Sequence, residues 1–449
     1  MKPRSVHVSI TVAVAAAVLL SALYFEVQAH FWFQRLVGSN AITTLHSLFF
    51  GGLLLIALLR HGFIKTYTRS WIRTGPGTAL VLALVLFAWT GGSTLAIHET
   101  GWDEFQSFLF YLYAPMGVMI STVIIHPTDR AIRTTLWALF VSALLFSAYS
   151  TSLHVRGWSG EDMAVVYRSS HSDPLVIARE SVPGLGGNQF PSMLVPMILT
   201  GFYFSQRLTG GRQLAVVGGT TFLFFNMLIT ASRGALLSLA VGLLYLVVRH
   251  WYRINARVVL LAVPLLGIFY VSGDFVTQRF KQSILGGGMG GYERLFSLQD
   301  SLVSYFVQNP LVGAGFTYFR TSQAPRIGET DHNVYTGLLA GGGLLVAVPL
   351  MLILFLIYRN AMRMIRRCRD DHEAAMLGTY LAAGFVAHLV DMNFAVGLFL
   401  YYSVWWGLMV AWGRNVQMRQ FVTAPSSHQT GIAQQYRARS LRGLSQAYR

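Results

Sequence analysis

Three residues in this sequence have types and settings suited to handling a phosphate and a proton. Arg233 lies in "NMLITASRGALLSLAVG" (226–242), Arg294 in "YERLFSLQDSLVSYFVQNP" (292–310) and His332 in "GETDHNVYTG" (328–337). A guanidinium keeps its charge at every relevant pH, and its rigid fork of N–H donors matches two phosphate oxygens at once. Arg233 falls between two hydrophobic stretches with almost no loop between them. Ser232, directly before it, suits the N-cap of the second stretch, and a helix N-terminus attracts anions. A cation, exposed backbone amides and a helix dipole together make a phosphate site. The plainer account of Arg233 is a side chain snorkelling from a helix end.

His332 is flanked by Asp331 and Asn333, just before another hydrophobic stretch, and an imidazole there can act as a general base. His98, His154 and His171 fall on the same face and read as ordinary interfacial polar residues. Glu329 and Asp331 are explained by loop solvation, as Asp391 and Asn393 are by helix-end polarity. "GGGMGG" (286–291) has no GxxxxGK[ST] sequence beside it, so it reads as a flexible link rather than a phosphate cradle.

The elements that must position these residues are membrane spans. The chain has 449 residues, 54% hydrophobic and only 12% charged, where about 25% is usual for a soluble domain. Apolar runs long enough to cross a bilayer recur along it. Twelve are expected, near 9–25, 41–59, 77–97, 106–125, 135–153, 191–206, 213–230, 235–249, 257–272, 336–357, 374–393 and 394–412. The first could pass for a signal peptide ending near "VQA" (27–29), but eleven further spans favour an uncleaved helix. The fold class is thus an all-α polytopic membrane protein, with a transmembrane domain over 1–412. Cys368 is the only cysteine, so no internal disulfide can form.

Lys and Arg concentrate on the cytoplasmic side of such proteins. With the N-terminus inside, every inner segment is basic: 24 of the 34 Lys and Arg fall inside, with only Asp129, Asp370, Asp371 and Glu373 of the 18 acidic residues. The net charge of +16 is therefore a topological signal and does not point to nucleic acid. The tail, 413–449, is basic, cytoplasmic and suited to anionic lipid headgroups. Two outer loops are too long for simple connections, 154–190 and 273–335. In the second, Leu295, Leu298, Leu302 and Phe306 have helical spacing, and Asn309-Pro310 stops the run. That spacing predicts an amphipathic helix over 292–310 with Arg294 in its first turn, followed by a turn at Gly313 and Gly315. No internal repeat or broken pair of helices in matching halves is evident, and few charges fall within spans. Both points weigh against a transporter.

The series "TASRGALLSL", "YERLFSLQDSLVSYFVQNPLVGAGFTYF" and "DHNVYTGLLAGGG" resembles the O-antigen ligase/polymerase family of bacterial envelopes. Motifs match over roughly 185–357, and topology over the whole chain. One departure stands out: where that family often has an acidic residue after HN, this chain has Ala340-Gly341-Gly342. "GLGGNQFP" before the sixth span matches only loosely. The resemblance implies a multi-span glycosyltransferase of GT-C type in the bacterial inner membrane, with both termini cytoplasmic and a periplasmic active site. It implies transfer of O-antigen from undecaprenyl diphosphate to a sugar of the lipid A core, inverting, with no cofactor and no metal. In that scheme His332 takes the proton from the acceptor hydroxyl, and Arg233 and Arg294 hold the donor diphosphate. Asn333, Asp331, Ser232, Arg168, Arg179, Arg320 and Arg326 are secondary candidates, the last four for core phosphates or sugar hydroxyls. The outer face offers no DxD pair for a metal. An O-antigen polymerase is the nearest alternative. A protein-glycosylating oligosaccharyltransferase is related, and a lipid-linked glycan transporter is the rival from another class.

Overall fold

A computed structural model describes residues 75–97, 114–126, 128–155, 189–230, 232–250, 302–315, 333–368, 370–394 and 400–423, with the single residues Leu20 and Trp71. The described residues are helical, without strands. In chain order they form α1 (Gly75–Ile97), α2 (Ala114–Ile125), α3 (Asp129–Val155), α4 (Gln189–Arg207), α5 (Gly210–Ile229) and α6 (Arg233–His250). A short π-helix (Leu302–Val307) follows, then α7 (Val334–Arg367), α8 (His372–Asp391) and α9 (Leu400–Thr423).

Five stretches are long and apolar enough to cross a membrane: Pro76–Thr94, Asp129–Leu153, Gly210–Ile229, Val334–Arg367 and His372–Asp391. Their outward faces carry large apolar side chains such as Leu82, Trp89, Leu145, Leu214, Val348 and Phe355. In water each such side chain would forgo about 1.5–3 kcal/mol of burial free energy, so these faces suit a hydrocarbon solvent. This is a helical membrane protein.

The bundle is organised around α8, which packs against α4, α6, α7 and α9. Its sequence, "HEAAMLGTYLAAGFVAHLVD", supplies the small residues that let helix backbones approach where packing drives association. Trp412 fills the space a Cβ on Gly378 would take, and Trp405 does the same at Gly384. Both indoles donate to the α8 backbone, Trp405 Nε1 to Leu381 O at 2.8 Å and Trp412 Nε1 to Ala374 O at 3.1 Å. Asp371 caps α8 by accepting from Ala374 N at 3.0 Å.

Helix ends sort into two groups with opposite chemistry. At one end Arg419 pairs with Asp129 at 2.6 Å and Asp371 at 3.4 Å, and Glu373 pairs with Arg133 at 2.6 Å and Arg207 at 2.7 Å. These links tie α9, α3, α8 and α4 together. At the same end the buried Arg414 closes α2, donating to Val123 O at 2.8 Å and His126 O at 2.7 Å. At the other end hydrogen bonds rather than ion pairs are found among the described residues: Thr151 Oγ1 donates to Asn226 Oδ1 at 2.9 Å, and Tyr335 OH to Leu389 O at 2.8 Å. Helices α2 to α6 alternate in direction between the two ends, as do α7 to α9, while α6 and α7 both begin at the second end.

The nine described α-helices overlap the positions of nine expected spans, five of them long and apolar enough to cross a membrane. Those expected at 41–59 and 257–272 lie outside the described residues, as does 9–25 apart from Leu20. The last helix differs in register. It covers Leu400–Thr423 rather than 394–412, because residues 392–394 form a turn and polar contacts extend the helix past its apolar run. Arg414 is satisfied by carbonyls and Arg419 by carboxylates, so neither ends it. The basic tail expected from 413 is therefore helical as far as 423. Likewise α7 continues ten residues beyond the expected 357. Of the amphipathic helix expected over 292–310, the described part is the π-helix and the turns after it.

α7 is broken at Gly343, whose backbone has φ +60° and ψ −163°. This is one interrupted helix, where the sequence showed no interrupted pair. Residues 310–315 cross the break. Ala314 N donates to Ala340 O at 2.8 Å and Gly315 N to Gly341 O at 2.9 Å. In return Leu344 N donates to Pro310 O at 2.9 Å and Leu345 N to Leu311 O at 3.0 Å. Irregular backbone at membrane depth is tolerated when its polar groups are matched inside the protein, and here they are. The approach leaves no room for side chains: a Cβ at Gly343 would sit 2.4 Å from Leu311 C, and one at Gly313 2.6 Å from Ala340 O. The expected turn at Gly313 and Gly315 is present, with φ of +67° and +87°.

Candidate functional site

Arg233 is the first residue of α6, at the end of the bundle away from the ion pairs. Ser232 occupies the N-cap position and is buried. Its hydroxyl accepts from Ala235 N at 3.5 Å, a long contact at the limit of capping geometry, while Ser232 O accepts from Leu236 N at 3.1 Å. Arg233 is half-buried. Next to it, Gly234 lies against Phe394, where a Cβ would come within 2.7 Å of the Phe394 Cβ and Cγ. Only glycine lets the start of α6 rest on the turn at 392–394.

That same turn receives the start of α7. Val334 N donates to Met392 O at 2.8 Å, in addition to the bond from Tyr335 OH to Leu389 O. Asn333 is the N-cap of α7, and its Oδ1 accepts from Tyr335 N at 2.9 Å and Thr336 N at 3.2 Å. Its side-chain oxygen therefore has a structural task, which a local reading of Asn before an apolar helix would have found. The structure thus brings Gly234 and Val334, the residues that follow Arg233 and Asn333, to one turn, although they lie a hundred residues apart in the chain. Arg294, His332, Asp331, Arg168, Arg179, Arg320 and Arg326 lie outside the described residues, as do Glu329, His98 and His171.

Directly behind the turn is a group expected to be mere helix-end polarity. Asp391, the last residue of α8, is 2% exposed. Its Oδ1 accepts from Ser192 Oγ of α4 at 2.5 Å, and its Oδ2 from Tyr402 OH at 2.6 Å and Tyr401 OH at 3.1 Å, both on α9. One carboxyl group thereby joins the outer ends of three helices. With its oxygens occupied, it serves as a joint rather than as a base toward a substrate. Asn393, by contrast, is exposed and folds back onto Leu389 O and Val390 O at 3.2 Å, the helix-end polarity expected of it.

One turn before Asp391, His388 is fully buried with neither ring nitrogen hydrogen-bonded. It is enclosed by aromatic rings instead, edge-to-face with Tyr402 at 4.9 Å, Tyr401 at 5.7 Å and Trp405 at 6.1 Å between centroids. The usable signal was a His and an Asp three residues apart in an otherwise apolar run. Ionisable residues in such a setting merit a functional reading by default. Among the described residues no three His, Cys, Asp or Glu side chains gather so as to hold a metal ion.

No protein-family model matches the chain, and no curated protein is similar enough to count as a match. The site must therefore be read from its own chemistry.

Proposed function

We propose that the chain is an O-antigen ligase of the bacterial inner membrane, with twelve spans, cytoplasmic termini and a periplasmic active site. By the distribution of Lys and Arg, the end carrying Arg207, Arg414 and Arg419 is the cytoplasmic one. Arg233 is then at the periplasmic boundary, where arginine is otherwise depleted. The observation that carries the reading is that the turn at 392–394 holds both Gly234, next to Arg233, and Val334, two residues after His332.

The reaction needs a cation for the leaving group and a base for the acceptor. A hydroxyl oxygen of a lipid A-core sugar attacks the anomeric carbon of the glycan carried on undecaprenyl diphosphate. The new C–O bond forms as the bond from that carbon to the phosphate oxygen breaks, with inversion at the carbon. The hydroxyl proton passes to His332, a step worth on the order of 10²–10⁴-fold in rate. The electron pair leaves with the diphosphate, whose negative charge is matched by the Arg233 and Arg294 forks. Asp391 is a positioning residue in this scheme, acting through the turn it anchors.

The test is a transfer assay with purified protein, undecaprenyl-diphosphate-linked O-antigen and lipid A-core, run with chelator. Transfer to lipid A-core by the wild type and its loss in H332A are expected. Lengthening of the donor glycan with lipid A-core untouched would make the protein a polymerase. No product of either kind would return the question to a glycan transporter.

A further inference from the structure

The cytoplasm-facing half of α7 carries four arginines at positions 359, 363, 366 and 367, a spacing that puts them on one helical face. The opposite face, with Ile353, Ile357, Ala361 and Met364, is buried in the bundle. All four arginines are exposed. None of them takes part in the ion pairs formed at this end among the described residues, although the exposed Asp370 lies three residues beyond Arg367. Asp129 and Asp371 are held by Arg419, and Glu373 by Arg133 and Arg207.

The face continues toward the bilayer interior as exposed apolar residues, with Phe355 at 55% exposure and Leu352 at 39%. The Arg359 guanidinium lies 6.0 Å from the Phe355 ring centroid, marking the boundary between apolar and charged surface. From Phe355 to Arg367 the helix rises about 18 Å. That places the arginines across the depth of a headgroup layer while the apolar residues stay beside acyl chains.

We infer that this face of α7 is a binding site for an anionic phospholipid of the inner leaflet. The arginines take the headgroup phosphate through paired N–H donors, and Leu352 and Phe355 take the acyl chains. A zwitterionic lipid brings its own cation to the same spot and is disfavoured. Unlike diffuse attraction to a basic tail, this site is built on a rigid helix.

Native mass spectrometry of the purified full chain in neutral detergent, with equal phosphatidylglycerol and phosphatidylcholine added, tests the site. The wild type should retain phosphatidylglycerol in clear excess. R359Q/R363Q/R366Q/R367Q should lose that excess roughly tenfold, while R212Q, an exposed arginine at the same end on α5, should leave it unchanged. If the fourfold variant does not fold, R359Q/R363Q and R366Q/R367Q should each lose part of it. Equal retention of both lipids by the wild type would overturn the site, as would unaltered retention in the variants or an equal loss in R212Q. Displacement of the lipid by millimolar inorganic phosphate would mark a free-anion site and overturn the lipid assignment.

Discussion

Replacing Asp391 by alanine should be the most destabilising single change at the outer end of the bundle. It removes the acceptor that the hydroxyls of Ser192, Tyr401 and Tyr402 share, and each bond lost at a buried group costs about 1–3 kcal/mol. The total is therefore about 3–9 kcal/mol, against a stability of about 5–15 kcal/mol for a typical fold. The pairwise part is best isolated with a double-mutant cycle of D391A and Y402F, since Phe keeps the ring and removes the 2.6 Å bond. Unfolding midpoints of purified protein in detergent, read by tryptophan fluorescence, would be followed across a denaturant series. D391A should lower the midpoint strongly and Y402F modestly. Once Asp391 is absent, Y402F should no longer destabilise, giving a coupling of about 1–3 kcal/mol. Strict additivity of the two changes would refute the assignment of Asp391 as the joint of α4, α8 and α9.

G234A should push the start of α6 away from the turn and lower glycan transfer by an order of magnitude or more. G234A/F394A, which reopens the space, should recover part of it in the same assay. N333A should lower stability by about 0.5–2 kcal/mol through the lost cap, with N333D close to wild type in denaturant titration. Cys368, at the end of α7, is buried, and that burial pushes its thiol up to about 11. The thiol stays neutral below that value, so maleimide labelling of the folded protein should be slow at pH 7.5. The rate should rise about tenfold per pH unit as the thiolate fraction grows. Rapid labelling at neutral pH would show the thiol to be accessible and ionised.

Apolar runs were the legible part of this fold, because a bilayer forces each crossing into an uninterrupted helix of minimum length. Helix limits were less legible where polar residues are satisfied by distant partners. Arg414 looks like an end of a span, yet the carbonyls of Val123 and His126, at the end of α2 and just beyond it, let α9 run past it. The joint at Asp391 was missed for a related reason. Its partners, Ser192 and Tyr401-Tyr402, come from separate helices and form no local pattern around it. The start of α6 at Ser232 and Arg233 was legible because a capping residue directly precedes the apolar run. That it shares a turn with the start of α7 depends on Gly234 and Met392, whose roles appear only when α6, α7 and α8 are packed.

The glycine run at 341–343 gives the outer piece of α7 an unexpected mechanical character. Three glycines in a helix suggest a place where it bends. Here the four backbone bonds with residues 310–315 run in both directions across the break. Tilting the outer piece would rupture carbonyl acceptors and amide donors together. The break therefore behaves as a rivet between two chain segments, and the N-terminus of α7 is clamped from both sides, by this crossing below and by Met392 above. A catalytic group next to Asn333 would inherit that fixed attachment point. A substrate entering from the membrane would then meet a mouth whose supports were set when the chain folded.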